Sequence, residues 1–380
     1  MKILFVSTRF APHVGGVESM LKELSAELSK ENSVCVLTSL NESSIKSPFT
    51  ISNKTYEKDN LCVKRIWMNL PRFLMGFLIF PYRFIAGIFS IRRFIKSYNP
   101  DVVNFHFPDD ASIYMYFALS FLNFPLITNI HGNDLHVFSK LKIYRFFIFQ
   151  TLKKSKKIIV NSKYMENELF KVYPEFESKV EIIPNGLDLN YIATVESKKY
   201  IEEKYIFFVG RFVYKKGIDI LIKAFKLANI PDLKLLLEGN GEEYSNIESL
   251  ITKLNLESKV ILTKGILSAT EKLEYMKGSV MGIIPSRIEP FGIVALEYLA
   301  CGTPVIAAKT GGLKTILEDN KTCLFFKKES VKDLSEKILL LNKSSKLRET
   351  LSKSGLKSVE KYGWKQIADS YLDIYANRAI

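Results

Sequence analysis

Glu289 and Glu297 stand eight residues apart in PSRIEPFGIVALEYLACGTPVIA (285–307), an otherwise apolar run punctuated by Gly and Pro. Carboxylates are rarely buried without a partner, so two of them here require cations or a polar ligand. The helix in this run should begin near Phe291 or Gly292, leaving Glu289 in the loop ahead of it and Glu297 about two turns along it. The backbone N–H groups of Phe291, Gly292 and Ile293 then form a helix start that can receive phosphate or sugar oxygens. A second cluster lies upstream in FFVGRFVYKKGIDILIKAF (207–225), where Arg211 follows Gly210 and Lys216 precedes Gly217 at another helix start. Two cations beside a helix N-terminus suit a diphosphate. Carboxylates accept from hydroxyls, so the combination points to a ligand rich in both hydroxyl and phosphate, which describes a nucleotide sugar. Neither G-x-G-x-x-G nor G-x-x-x-x-G-K-[ST] is present, which argues against the dinucleotide fingerprint and the P-loop.

Two further motifs lie in the first half. In APHVGGVESM (11–20), Gly15 and Gly16 precede a helix and would let backbone amides approach an anion. His131 opens HGND (131–134) directly after an apolar run, where a side chain can point toward a ligand. His106 holds a similar but weaker position, and His13 and His136 have no motif behind them.

In open α/β sheets ligands bind beyond the carboxyl ends of the strands, so these residues need strands that deliver them there. Short apolar runs alternating with helical patterns supply such strands, the signature of parallel sheets covered by helices. The first half predicts strands at 2–7, 33–38, 61–67, 101–106, 125–130, 157–161 and 180–183, with helices at 17–30, 73–97, 110–122, 138–154 and 163–172. The pattern then restarts, with strands at 205–210, 233–239, 259–265, 280–285, 303–308 and 322–326. At 380 residues the chain is too long for one ordinary core. The expected fold is α/β, with two doubly wound, Rossmann-like domains facing across a cleft. Their expected extents are 1–190 and 205–360, joined by a polar linker at 191–204. The final stretch, 361–380, is amphipathic and is expected to cross back onto the first domain.

The composition is that of a globular protein, 47% hydrophobic and 25% charged, with a net charge of +14. The charge is concentrated. From Asn60 to Lys163 there are fifteen Lys and Arg against four Asp and Glu, and no acidic residue occurs from Asn60 to Pro100. Nucleic acid, an anionic membrane or a phosphorylated substrate would each suit such a region. No recognisable nucleic-acid-binding module accompanies it, so nucleic acid is not an expected partner. PRFLMGFLIFPYRFIAGIFSIRRFIKSYNP (71–100) and KLKIYRFFIFQTLKKSKK (140–157) mix aromatics with cations, and Pro81 and Arg83 interrupt the first. An uninterrupted apolar span of 18 residues is therefore missing. An in-plane helix on an anionic membrane surface fits these segments, as does a core-facing helix with a solvated basic side. Cys35, Cys62, Cys301 and Cys323 lie far apart, with no C-x-x-C, and read as reduced thiols of a cytosolic protein. Neither a disulfide nor a structural metal is expected. MKILFVS passes straight into polar and turn residues and reads as a first strand rather than an export signal.

Taken together and in order, these motifs resemble the retaining GT-B glycosyltransferases of family 4, the glycosyl transferases group 1. The resemblance rests on EPFGIVALE, GGVE, HG at His131, NGLD (185–188), VGR…KKG, EGNGEE (238–243), CGTPVIAAKTGG (301–312) and the closing YGWKQIADSYLDIY (362–375). It covers nearly the whole chain. It implies sugar transfer from a nucleotide donor with retention at the anomeric carbon, no obligatory metal and no cofactor. Carried over by position, Arg211 and Lys216 stabilise the leaving diphosphate, Glu297 holds the ribose hydroxyls and Glu289 the hydroxyls of the donor sugar. Gly15 and Gly16 approach the diphosphate, and His131 contacts the sugar near the reacting carbon. KGILS (264–268), with Leu267, lies against the base. The donor would be a UDP- or GDP-sugar. The acceptor would be a lipid-linked or other glycan at the inner face of the cell membrane, where the enzyme is cytoplasmic and peripheral. A soluble acceptor is the alternative.

Overall fold

The computed structural model describes residues 1–11, 15–40, 56–58, 60–68, 74–109, 111–120, 122–136, 140–198, 201–263, 265 and 267–376. They form two compact units, one made of Met1–Gly186 with Trp364–Ile380, the other of Leu187–Gly363. The stretch expected as a linker, 191–204, falls inside the second unit, where its first residues are helical.

The first unit holds β1 (Lys2–Ser7), β2 (Ser33–Ser39), β3 (Tyr56–Lys58), β4 (Leu61–Ile66), β5 (Val102–His106), β6 (Leu126–Ile130), β7 (Lys157–Val160) and β8 (Val180–Ile182). Their order across the sheet is β3-β4-β2-β1-β5-β6-β7-β8, parallel throughout except for β3, which turns back on β4. The helices are α1 (Gly16–Ser29), α2 (Leu74–Tyr98), α3 (Ala111–Leu119), α4 (Asn133–His136), α5 (Lys142–Lys154) and α6 (Lys163–Val172). β1, β5 and β6 are buried along nearly their whole length, as parallel strands covered on both faces must be. Pro81 lies inside α2 without ending it.

The second unit contains α7 (Leu189–Thr194), β9 (Lys204–Val209), α8 (Ile218–Ala228), β10 (Leu233–Glu238), α9 (Tyr244–Lys253), β11 (Val260–Thr263) and α10 (Ala269–Gly278). It continues with β12 (Met281–Ile284), α11 (Ile293–Ala300), β13 (Val305–Ala308), α12 (Leu313–Ile316), β14 (Cys323–Phe326), α13 (Val331–Lys343) and α14 (Ser345–Val359). Its all-parallel sheet runs β11-β10-β9-β12-β13-β14, so the chain reverses direction across the sheet at β9 and β12. That reversal point is where a doubly wound sheet opens a crevice for ligand.

The last helix, α15 (Trp364–Ala376), belongs to the first unit. Trp364, Ile367, Ala368, Tyr371 and Tyr375 enter the same core as Ile3, Phe5 and Leu24. The Tyr371 and Tyr375 hydroxyls accept from the buried amides of Asn129 and Asn104, each at 2.5 Å.

The cysteine expectation is corrected. β2 and β4 are neighbours in parallel register with Cys35 opposite Cys62, and the two are joined in a disulfide. Strand pairing, invisible in the spacing of the two residues, brings them together. Cys301 and Cys323 are free thiols.

Candidate active site

In the second unit the cations and carboxylates converge at the β9–β12 reversal. β9 delivers Gly210 and Arg211 at its carboxyl end, and the Arg211 side chain is exposed. A single 3-10 turn, Tyr214–Lys216, follows and ends at Gly217, whose φ of 66° suits glycine. A Cβ there would lie 2.2 Å from the Pro285 carbonyl oxygen, so only glycine lets the KKG turn sit against the end of β12. Lys216 Nζ donates to Glu289 Oε2 at 2.6 Å, and Ser286 Oγ donates to the same oxygen at 3.2 Å. Glu289 is therefore a buried carboxylate with a cation on it. Burial, together with the charges of Arg211 and Lys216, pulls the Lys215 ammonium below its ordinary value.

Arg287 holds these two loops together. Its guanidinium grips Asp219 with both NH groups, at 2.9 and 3.0 Å, reaches Glu329 at 3.0 Å and lies 4.1 Å from the centroid of the Tyr214 ring. The Arg287 backbone N–H donates to the Lys215 carbonyl at 2.8 Å. On the other side of Glu289, its carbonyl accepts from Gly312 N–H at 2.8 Å, and a Cβ on Gly311 would come within 2.1 Å of that carbonyl oxygen. The TGG turn at 310–312 thus packs directly on the Glu289 backbone.

α11 begins at Ile293 with Gly292 as its N-cap, in the left-handed region at φ 106°. A Cβ on Gly292 would lie 2.6 Å from Leu313 Cδ2. Ala295 N–H already donates to the Gly292 carbonyl at 2.9 Å, which leaves the N–H groups of Ile293 and Val294 as the leading donors of the helix start. One expectation is adjusted here: Glu297 is the fifth residue of α11, one turn in rather than two. The Phe291 side chain is buried in the core, and its backbone is the part expected to serve a ligand. Glu297 Oε1 accepts from Lys272 Nζ at 2.6 Å, while its Oε2 is buried without a partner. Each glutamate of the opening motif therefore has its own lysine. Leu267 packs against the core just before Ser268, which caps α10 in a capping box with Glu271. Lys264 and Ile266 of KGILS lie outside the described residues.

In the first unit, β6 delivers His131. The Asp134 carboxylate accepts from the backbone N–H groups of His131, Gly132 and Leu135, at 2.8, 2.6 and 3.1 Å, and so fixes the HGND turn. His131 Nε2 lies 3.3 Å from His106 Nδ1, with the rings stacked. Burial lowers His131 to about 4, and burial followed by the His131 neighbour lowers His106 well below the usual histidine value. Burial pushes Asp134 up to about 6 despite its N–H donors. Gly15 precedes α1, and a Cβ on it would lie 2.4 Å from Glu18 Oε2, so the carboxylate of GGVE folds back over the turn. Gly16 has open space where a side chain would go. His13 lies outside the described residues.

Sequence reasoning did not single out Lys215, Ser286, Arg287, Lys272 or the His106–His131 contact. Arg287 was visible in PSRIEPFG, but its role depends on Asp219, 68 residues earlier. Among the described residues, no three His, Cys, Asp or Glu side chains gather as a metal site would require.

Two doubly wound units in one chain, the second with cations and carboxylates at its reversal point, are the parts of the GT-B architecture. The chain belongs to the glycosyltransferases of this type: residues 14–191 match Glycosyltransferase Family 4 and residues 193–358 match Glycosyl transferases group 1. It is 30% identical over 378 residues to an uncharacterized glycosyltransferase of Methanocaldococcus jannaschii, covering 99% of this chain and 98% of that one. A D-inositol 3-phosphate glycosyltransferase of Kribbella flavida is 30% identical over 244 residues, 60% of this chain and 57% of that one. The fold also matches an Anabaena protein solved with UDP-glucose, at a TM-score of 0.79 and 19% identity over 99% of both chains.

Proposed function

We propose that the protein transfers a sugar from a UDP- or GDP-sugar, with retention at the anomeric carbon and without a metal, to a lipid-linked or other glycan acceptor at the cytoplasmic face of a membrane. The observation that carries the transfer reading is the Lys216–Glu289 pair set beside exposed Arg211 and the start of α11. In glycosyl transfer the bond from the anomeric carbon to the donor phosphate breaks through an oxocarbenium-like state as negative charge builds on the phosphate. Arg211, Lys216 and the α11 amides meet that charge and stabilise it more than the ground state. Glu289, held by Lys216, Ser286 and the TGG turn, accepts from sugar hydroxyls through its remaining lone pairs, and the unpartnered oxygen of Glu297 is suited to a ribose hydroxyl. His131, kept neutral by burial, can donate to or accept from a sugar hydroxyl without placing a cation near the oxocarbenium carbon. The leaving phosphate would take the acceptor proton on the same face, which accounts for retention without a covalent nucleophile.

The test is nucleotide release from a panel of UDP-, GDP- and ADP-sugars, with and without lipid extract, alongside Arg211→Ala. Release that needs lipid and is lost in the variant supports the reading. No nucleotide binding at all would overturn it. A second reading is a soluble acceptor, favoured by the likeness to a glycosyltransferase named for D-inositol 3-phosphate. Release stimulated by polar phosphorylated acceptors and indifferent to lipid would select it.

A further inference from the structure

Seven of the sixteen exposed large hydrophobic side chains of the described residues fall on α2, α3 and α5 or on Leu141, immediately ahead of α5. On α2 they are Tyr82, Ile85 and Phe89, the last 68% exposed, and the spacing places them on one stripe. The stripe continues one turn on into Arg92, Arg93 and Lys96, which with Phe89 and Ser97 line an open groove. The opposite side of α2 is core: Ile91 and Ile95 are fully buried, and Arg83 is tucked over the Trp67 ring at 4.2 Å. The sequence reading allowed either an interfacial or a core-facing helix, and α2 has one side buried in the core and the other exposed.

α3 packs between α2 and α5 and joins their outer faces. Phe117, itself exposed, meets Phe84 of α2 at 5.8 Å and Phe147 of α5 at 6.0 Å between ring centroids. On α5, Ile143 and Phe146 stand out beside Lys142 and Arg145. None of the three helices carries an acidic residue. The other nine exposed large hydrophobics of the described residues are spread over many different segments, and single ones need no partner, but a contiguous set beside cations does.

We infer that the joined outer face of α2, α3 and α5 is the surface by which the protein docks on an anionic lipid bilayer, its aromatics entering the acyl boundary and Arg93, Lys96 and Lys142 resting on headgroup phosphates. Charge selects this occupant. A second copy of the chain would bring the same acid-free cationic face against itself, whereas an anionic surface complements it. This deepens the reading of a membrane-held acceptor given above and names the surface that would meet the membrane.

The test is flotation of the full chain with phosphatidylcholine vesicles, with and without about one-third phosphatidylglycerol, at low and high salt. Flotation with the anionic vesicles alone, weakened about 30-fold by Arg93→Gln with Lys96→Gln, is the expected result. Phe89→Ser with Phe146→Ser should leave the weak binding that remains fully salt-sensitive, because the apolar part is gone. All four positions are exposed, and an unchanged melting temperature verifies that the variants fold. Absence of flotation at low salt overturns the proposal, as does flotation indifferent to both pairs of substitutions. A dimer that the same substitutions dissociate, without vesicle binding, would assign the face to a second copy and equally overturn it. Protection of the protein by UDP and GDP against thermal unfolding is read in parallel. Intact protection without flotation removes only the docking surface, and flotation without protection removes only the transfer reading.

Discussion

At the scale of single residues, each of the two glutamates of the site is already met by a lysine. Glu289 is buried and its carboxylate is met by Lys216, so Lys216→Ala should do two things. It should lower kcat about 100–1,000-fold by removing a donor from the developing phosphate charge, and it should also destabilise the second unit by leaving a carboxylate unpaired. Adding Glu289→Gln should restore much of the melting temperature without restoring rate, and a double variant as unstable as Lys216→Ala would contradict the pairing. In the first unit, His106 and His131 are held below the ordinary histidine value, so between about pH 4 and 6.5 the unfolded chain binds protons that the folded one refuses. Stability therefore rises with pH across that window. Asp134, raised to about 6, acts in the opposite sense, since the folded state keeps its proton longer. Two imidazoles against one carboxyl leave a net rise, which should flatten in His106→Asn when urea midpoints are compared at pH 4.5 and 7. An equal slope in the variant would remove His106 from the effect.

At the scale of elements, the turns that aim these side chains depend on glycine at positions 217, 292 and 311. Gly292→Ala would put a Cβ into Leu313 in a left-handed backbone, moving the start of α11 and the adjacent Glu289 loop. The expected result is a rise in donor KM together with a fall in kcat, read from steady-state kinetics. Ser268→Ala removes one arm of the α10 capping box and should cost about 1 kcal/mol in denaturant unfolding. Because Lys272 on α10 reaches Glu297, some loss of nucleotide affinity should accompany it. The elements themselves were largely legible, since buried parallel strands such as KYIFFV at β9 and LKLLLE at β10 announce themselves by near-continuous apolarity. β3 was missed because it is three residues of YEK, too short and polar to carry a pattern. The Cys35–Cys62 bond and the Lys272–Glu297 pair were missed for another reason. Each depends on which elements lie side by side, and periodicity along the chain does not encode neighbours across it.

At the scale of the whole molecule, the chain leaves the first unit at Gly186 and re-enters it at Trp364, with the Leu187 N–H donating to the Tyr362 carbonyl at 2.7 Å beside the exit. The returning helix fills a core position, and its two tyrosine hydroxyls answer two buried asparagines. Tyr371→Phe and Tyr375→Phe should each cost about 1–3 kcal/mol in urea unfolding, because an amide is stranded in each case. Changes under 0.5 kcal/mol would mean the amides find other partners. The motif YGWKQIADSYLDIY was readable as a helix that returns to the first unit, but the partners it meets there were not, since an apolar face does not say which side chains it packs on. That destination bears on how the molecule is made. The second unit is contiguous from Leu187 to Gly363 and can close as soon as it leaves the ribosome. The first unit, although translated earlier, must wait with its α15 groove open until the last helix arrives, so the half that is synthesised first is the half that finishes folding last.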